Sequence, residues 1–437
     1  MIIIILNCIK SWYDKQLLDQ QQGFRSGRGT ADGIFITKRI QQITDKMKKP
    51  AYVLFVDLTA AFDHIVRKWL FKSIYQRFPP ESETKLIELI EALYAYTTTS
   101  LAETPDELFE VGSGVRQGGP ESPLLYNLYM DYVMRIFIEQ CEKKDVTFLK
   151  LKYRIPSTAT TREERRNKTD SGYHYVDWIG YADDLELIFE DPEHLQKGLD
   201  LLDETFSRYN LTINISKTKT MILNYKYVND KSPYPKSISR LHNTAVENVT
   251  TFRYLGNDIK YVEPSTRNAE VQLRIDMAEH KFYEISKKLL NFNIRIKTRV
   301  KILNSLVRCQ LTYSCQTWNL GIQQQKRISS TYITMLRKMI KGGYRRKTGT
   351  EWKFVLTNLD LINICGTEEI NDYTSRQQRN YLAHLARQSN KTLTKRVLFN
   401  DNHASKPGRQ WTLETRVVLH EGTTTDEFYK RALNKEF

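Results

Sequence analysis

Three aspartates stand where a chain can gather carboxylates from distant parts of its sequence. Asp57 closes the apolar run A-Y-V-L-F-V-D-L, and Asp183 and Asp184 interrupt W-I-G-Y-A-D-D-L-E-L-I-F, residues 178–189. Burying charge in a strand is costly unless something pairs it, so these aspartates call for a lysine, a solvated turn or a cation. Taken alone, a D-D pair at a hairpin is a solvated turn. A strand ending in aspartate beside such a hairpin is different, because clustered carboxylates repel unless they are protonated or share a cation. Oxygen ligands with room for water and phosphate suit Mg²⁺, with Mn²⁺ able to stand in. Two such ions about 4 Å apart can activate one oxygen and stabilise a departing one in phosphoryl transfer. Metal is therefore the expected partner.

The elements that must position these residues are legible in the pattern. Residues 51–57 read as a strand and the stretch from Ala60 as a helix; a second helix is expected from about Glu81 to Tyr96. A glycine-rich loop, V-G-S-G-V-R-Q-G-G-P-E-S-P, opens into the helix L-L-Y-N-L-Y-M-D-Y-V-M, with Ser122 and Pro123 as N-cap and first-turn residues. Residues 141–175 are polar and charged and read as a surface insertion. A hairpin around Asp183 and Asp184, a helix over 192–209 and the strand-like L-T-I-N-I-S-K-T-K-T-M-I-L follow. From about Val262 long basic amphipathic helices take over. Ahead of the first strand, Q-Q-G-F-R-S-G-R-G-T-A-D-G alternates glycine with Arg25 and Arg28, a pattern suited to close approach to a phosphate.

The 437-residue chain is long enough for two or three compact units, and its 40% hydrophobic content excludes a disordered one. A net charge of +15 favours a polyanionic partner. Five cysteines, an odd count with no C-x-x-C, exclude a disulfide framework and a structural zinc knuckle and suit a reducing intracellular compartment. The opening M-I-I-I-I-L is too short to span a bilayer, so no membrane role is expected. It reads as the middle of a buried element, and a preceding segment is expected.

In order, these motifs resemble the reverse transcriptases of non-LTR (LINE-type) retrotransposons. F-V-D-L-T-A-A-F-D resembles that family's first catalytic motif and Y-A-D-D its second. G-V-R-Q-G-G-P-E-S-P-L-L-Y-N-L is similar to its nucleotide-pocket loop, L-T-I-N-I-S-K-T-K to its lysine motif and F-R-Y-L-G-N-D-I to its primer-gripping hairpin. Q-Q-G-F-R-S-G-R-G-T-A-D matches a fingers motif, while N-Y-L-A-H-L-A-R-Q-S-N-K and K-P-G-R-Q-W resemble the region past the thumb. Gly119, Asn210 and Ala383 depart from the family pattern, the first replacing a usual acidic residue and the other two a usual glycine.

The resemblance implies an α+β right-hand polymerase fold, apparently truncated at its amino end: partial fingers over 1–50, palm over 51–262, a helical thumb over 263–345 and a basic all-α region over 346–437. It implies catalysis by Asp57, Asp183, Asp184 and Lys217, the lysine protonating the pyrophosphate. Asp57, Asp183, Asp184 and the Leu58 carbonyl would hold two metal ions. Phe62 would exclude a ribose 2′-hydroxyl, and Arg116, Gln117 and Gly118 would contact the incoming nucleotide or template. Tyr254, Leu255 and Gly256 would grip the primer, and Arg25 and Arg28 would touch nucleic acid. The implied partners are an RNA template, a DNA primer or target and dNTPs. The implied setting is a cytoplasmic ribonucleoprotein, the nucleus or both. A catalytically silent RNA-binding protein of the same fold and a maturase-like splicing factor are the other readings.

Overall fold

The computed structural model describes residues 2–77, 84–101, 104–155, 170–228, 233–261, 263–340, 345–348, 351–400 and 425–433. They fall into two units, one of Met1–Ile155, Ser171–Leu255 and Lys391–His403, the other chiefly Gly256–Asn390 with the helix Thr425–Leu433. The segment from Lys391 thus belongs with the first unit, so the expected basic C-terminal region is shared between the two.

The first unit is organised by a six-stranded sheet. Its strands are β1 (Ala51–Val56), β6 (Trp178–Tyr181), β7 (Asp184–Phe189), β8 (Lys219–Leu223), β9 (Ser239–Leu241) and β10 (Thr244–Asn248), in the order β6-β7-β1-β8-β10-β9. Short two-stranded sheets come from β2 (Thr98–Leu101) with β3 (Thr104–Glu110) and from β4 (Leu149–Ile155) with β5 (Asp170–Val176). β1 runs antiparallel to both β7 and β8 and is buried along its whole length, which its unbroken apolar sequence allows. Tyr52, Leu54 and Val56 share a core with Leu185, Leu187 and Phe189 and with the helices α5 (Ser122–Lys143) and α6 (Pro192–Arg208). α6 approaches closely because residue 198 is glycine; a Cβ there would lie 2.5 Å from the Phe189 ring. The Asp191 carboxylate accepts from the His194 N–H, and Pro192 opens the helix.

Four local expectations need correction. The chain from Thr59 to His64 is not helical, and α3 begins only at Arg67 (Arg67–Tyr75). The Phe62 and Ile65 carbonyls accept instead from Val115 and Gly114 of the glycine-rich loop. Ser122 is the first helical residue of α5, with Glu121 as N-cap; its hydroxyl bonds back to the Arg116 carbonyl. The expected insertion is shorter than 141–175, since α5 runs to Lys143 and β4 and β5 form a hairpin with an alternately buried face. The charged stretch 156–169 lies outside the described residues, as does K-P-G-R-Q-W. In the opening run expected to be buried, Ile3 and Ile4 are exposed on α1 (Ile2–Gln16).

The helices α2 (Thr30–Met47) and α4 (Thr84–Ala95) complete the named helices of the first unit, apart from the short Leu393–Leu398. The second unit is mostly helical, with a separate core around Val271, Phe282, Leu303, Trp318, Tyr332 and Leu336; it also carries an antiparallel strand pair, Arg345–Thr348 with Glu351–Phe354, which corrects the expectation that the region from 346 is all-α. Trp318 is a core residue whose indole donates to Glu270 at 3.0 Å, which removes it from any base-stacking role.

Candidate active site

β1 and β7 pair with Val56 opposite Leu185, so Asp57 and Asp184 follow one another across the ladder. The β6–β7 hairpin closes between Tyr181 and Asp184, with Ala182 and Asp183 in the turn and Ala182 at φ 59°. The carboxyl of Asp184 is pushed up to about 6, by loss of hydration first and then by Asp183 and Asp57. Residue 184 keeps an exposed edge, so the share owed to the neighbouring charges is the firmer one. Strand pairing thus brings Asp57 to two acids that lie more than a hundred residues further along the chain.

The other edge of β1 fixes the backbone. The Asn214 N–H donates to the Asp57 carbonyl at 2.9 Å, and the Thr59 N–H to Thr212 at 3.0 Å, flanking a bridge between Leu58 and Ile213. Peptide groups alternate along a strand, so the Leu58 carbonyl points to the opposite edge, the one that carries the aspartate hairpin. Lys217 lies in the turn after this bridge, and its ammonium is 3.5 Å from Asp57 Oδ2.

Residues of the pocket loop meet the same site. The Phe62 ring is half-buried and stacks on Tyr126, centroids 4.2 Å apart. The Tyr126 hydroxyl is raised well above its usual range by burial, with Asp183 and Asp184 adding to it. Gln117 reaches Asp63 at 3.2 Å, and Gly118 takes φ +82° with open space around it. Arg116 is turned away: its guanidinium lies 4.9 Å over the Tyr94 ring and bonds the Leu93 carbonyl, so here it ties the loop to α4. At position 119 a Cβ would come within 2.8 Å of Glu121 and Ser122 side-chain atoms. Asn210 takes φ 57°, the conformation in which asparagine best replaces glycine, and bonds the His64 carbonyl at 2.9 Å.

Tyr254 is buried against Phe55, centroids 5.6 Å apart, and Leu255 and Gly256 form a turn with φ 47° and 76°. A Cβ on Gly33 of α2 would lie 2.8 Å from the Leu255 side chain. Beneath them Glu186 is fully buried and accepts from Thr37 at 2.5 Å; burial pushes its carboxyl up to about 8.

Arg25 and Arg28, expected to touch nucleic acid, are bonded within the chain. Arg25 donates to the Leu18, Gln21 and Asp14 carbonyls, and Arg28 pairs with Asp19. They brace a loop whose contribution sequence reasoning missed. Gln20 donates to Asp177 at 2.9 Å, the residue before β6. The Gln20 carbonyl and Gln22 N–H bracket Gly180 at 3.0 and 2.7 Å. The buried Gln21 side chain accepts from the Ala182 N–H at 3.1 Å and donates to the Ala182 carbonyl at 3.4 Å. Consecutive glutamines therefore splint the aspartate hairpin from base to turn. A Cβ on Gly23 would lie 2.6 Å from the Ala182 nitrogen, so the approach needs glycine. The signal was Q-Q-Q-G itself, since side-chain amides both donate and accept.

The model of the reverse transcriptase (RNA-dependent DNA polymerase) family matches residues 2–259, more than half of the chain. The chain belongs to the reverse transcriptase family. It is 25% identical over 204 residues to a Pol polyprotein of the type-2 retrotransposable element R2DM of Drosophila melanogaster, covering 46% of this chain and 17% of that protein. To the Pol polyprotein of the type-1 element R2 of Nasonia vitripennis it is 24% identical over 247 residues, covering 55% and 21%. These relatives bear out the expected kinship with non-LTR retrotransposons, and the chain spans about a fifth of their length. Among solved structures, the apo telomerase of Candida tropicalis aligns at 13% identity with a TM-score of 0.39, covering 91% of this chain and 60% of that one. The fold class of this reverse transcriptase domain, α+β with an antiparallel-rich sheet and helical packing, is the expected one. Among the described residues no helix is long and apolar enough to cross a membrane.

Proposed function

We propose that this chain carries the polymerase portion of a retrotransposon reverse transcriptase, extending a primer 3′-hydroxyl with dNTPs along an RNA template. The observation that carries the reading is the strand pairing that sets Asp57 beside Asp184 and Asp183 in the adjoining turn, where loss of hydration and then the charges of Asp183 and Asp57 raise the Asp184 carboxyl. In this reading the sheet unit up to Leu255 supplies fingers and palm, and the helices from Glu263 act as the thumb.

A divalent cation fits the chemistry of the donor set. Asp57 Oδ2 is buried without a hydrogen-bond partner, and the neighbouring carboxylates are acceptors only. Among the described residues no three His, Cys, Asp or Glu side chains make a ready metal cage, so the Leu58 carbonyl, water and phosphate oxygens would complete the shell, as Mg²⁺ favours. When bound, two ions would activate the primer hydroxyl and stabilise the departing pyrophosphate. Asp57 and Asp183 hold that charge in place, and the hairpin splint fixes their separation. Lys217, beside Asp57, is positioned to give a proton to the leaving group. Phe62, held flat by Tyr126, blocks the space of a 2′-hydroxyl. Tyr254 to Gly256 set the primer end, and Gln117 and Gly118 lie open to the incoming pair.

Primer extension on an RNA template with purified protein, dNTPs and Mg²⁺ tests the reading. Asp183→Ala should abolish extension with little loss of RNA affinity, since phosphate contacts carry binding. A parallel collapse of binding would overturn the assignment of the site. Absence of extension by the parent protein, with salt-sensitive RNA binding intact, would favour the catalytically silent form.

A further inference from the structure

We propose that the outward face of the β4–β5 hairpin is a stacking platform for single-stranded nucleic acid, separate from the aspartate site. Along β4, Lys150, Lys152 and Arg154 point outward while Leu149, Leu151, Tyr153 and Ile155 are buried. Along β5 the outward residues are Ser171, Tyr173 and Tyr175, while His174 and Val176 turn inward. One face of the ribbon is therefore basic and aromatic, with no acidic side chain among these six.

The two tyrosines are 64% and 51% exposed, although neighbouring strand positions bury rings as large. An exposed tyrosine pair gains nothing from core packing, so its placement asks for a ligand with a flat apolar surface and a negative charge. Residues i and i+2 of a strand lie about 7 Å apart on one face, a spacing at which successive bases can use successive rings. The Lys150 ammonium sits 5.0 Å from the Tyr173 centroid and 5.5 Å from that of Tyr175, steadying both rings and leaving a charge at the rim for phosphate. Bases stacking on aromatic rings beside a basic track is how single strands are held without sequence preference. A duplex hides its base planes and cannot use the rings.

The face is held rigidly from behind. Tyr153 carries the Arg396 guanidinium at 4.9 Å, the Arg154 N–H donates to Phe399 at 2.9 Å, and Asn400 bonds the Lys152 carbonyl at 2.7 Å. Phe148, just before β4, stacks on Phe189 of β7 with centroids 5.1 Å apart. The nearby carboxylate is Glu190, which accepts from the Lys150 backbone at 3.2 Å at one end of the face.

The test is fluorescence anisotropy of the full chain with dye-labelled oligoadenosine and, separately, a duplex RNA of equal length. Tyr173→Ala with Tyr175→Ala should weaken single-strand binding about tenfold or more and leave duplex binding as in the parent. The paired Tyr→Phe variant should bind both as the parent does. Lys150→Gln with Lys152→Gln should flatten the salt dependence of single-strand affinity, by about one unit of log–log slope per lost phosphate contact. Parental single-strand affinity in the double alanine variant would overturn the platform, and so would an equal loss of single-strand and duplex binding. Because binding is read and not synthesis, a silent polymerase site leaves the test intact.

Discussion

The core of the helical unit and the aspartate hairpin of the sheet unit deal with charge in opposite ways. In the helical unit Arg299 is 5% exposed, and its guanidinium is used up on the carbonyls of Ile294, Leu289 and Met339 at 3.0, 3.1 and 2.6 Å. Gln378 likewise donates to Cys315 and Trp318 carbonyls, both at 3.0 Å. These groups tie off backbone acceptors where helices end. In the sheet unit the aspartates repel one another, and Asp57 keeps a buried oxygen without a hydrogen bond. One region uses polar groups to close a structure; the other holds them in tension, open to a ligand. Clustered carboxylates short of hydrogen-bond donors, with the Lys217 ammonium 3.5 Å from Asp57, distinguish the candidate site more than buried charge itself does.

Substitutions should separate the two kinds of charge. The largest effect on folding is expected from Arg299→Ala, which strands three carbonyls and should cost about 3 kcal/mol or more, read by denaturant unfolding of the helical unit. A loss within experimental error would erase the contrast. Next, Gln21→Ala leaves the aspartates in place but frees their turn, and a misplacement of about 1 Å can cost about a hundredfold in rate. The fall should appear in kcat with RNA affinity intact, and Gln21→Glu should not rescue it, because a carboxylate cannot donate to the Ala182 carbonyl. A smaller effect, about tenfold in dNTP over rNTP preference, is expected for Phe62→Val in single-nucleotide incorporation. Unchanged preference would deny the ring its place as sugar gate.

The smallest effect sharpens the comparison through pH. Asp184 has a folded-state value raised to about 6 from the usual 3.8, so the folded chain binds the proton more tightly than the unfolded one. Its ionisation penalty is absent below about 4, grows as pH rises through the interval and is complete above about 6. Asp184→Asn should therefore raise the melting temperature by a few degrees at pH 8 and not at pH 4, while synthesis is lost. An equal shift at both pH values would mean that the ionisation of Asp184 is not its cause.

Much of the site could be read in advance because short-range patterns imposed it. The apolar run ending at Asp57 could only be a buried strand, and Y-A-D-D between β-favouring residues could only be a tight hairpin. Phe62 and Lys217 came from the resemblance to the reverse transcriptases, which puts a ring and a lysine at those places in its motifs. The misreadings share one cause, which is that a polar side chain does not announce its partner. Arg25 and Arg28 had the composition of a phosphate loop, yet carbonyls and Asp19 lay nearer. Arg116 had an aromatic face within reach. The start of α3 was misplaced because the Phe62 and Ile65 carbonyls are taken by a loop about fifty residues away.

The sequence by itself determined the periodicities, the turns and the placing of the aspartates at a strand end and a hairpin turn, since these depend on side-chain volume, backbone freedom and alternation within a few residues. Only the tertiary structure decided which amides hold the aspartate turn, which arginines are free to meet a ligand and which tyrosines are left in solvent. Those outcomes depend on hydrogen bonds and contacts between segments far apart in the chain, and a donor's choice among acceptors is settled by distance, which exists only once the chain has folded.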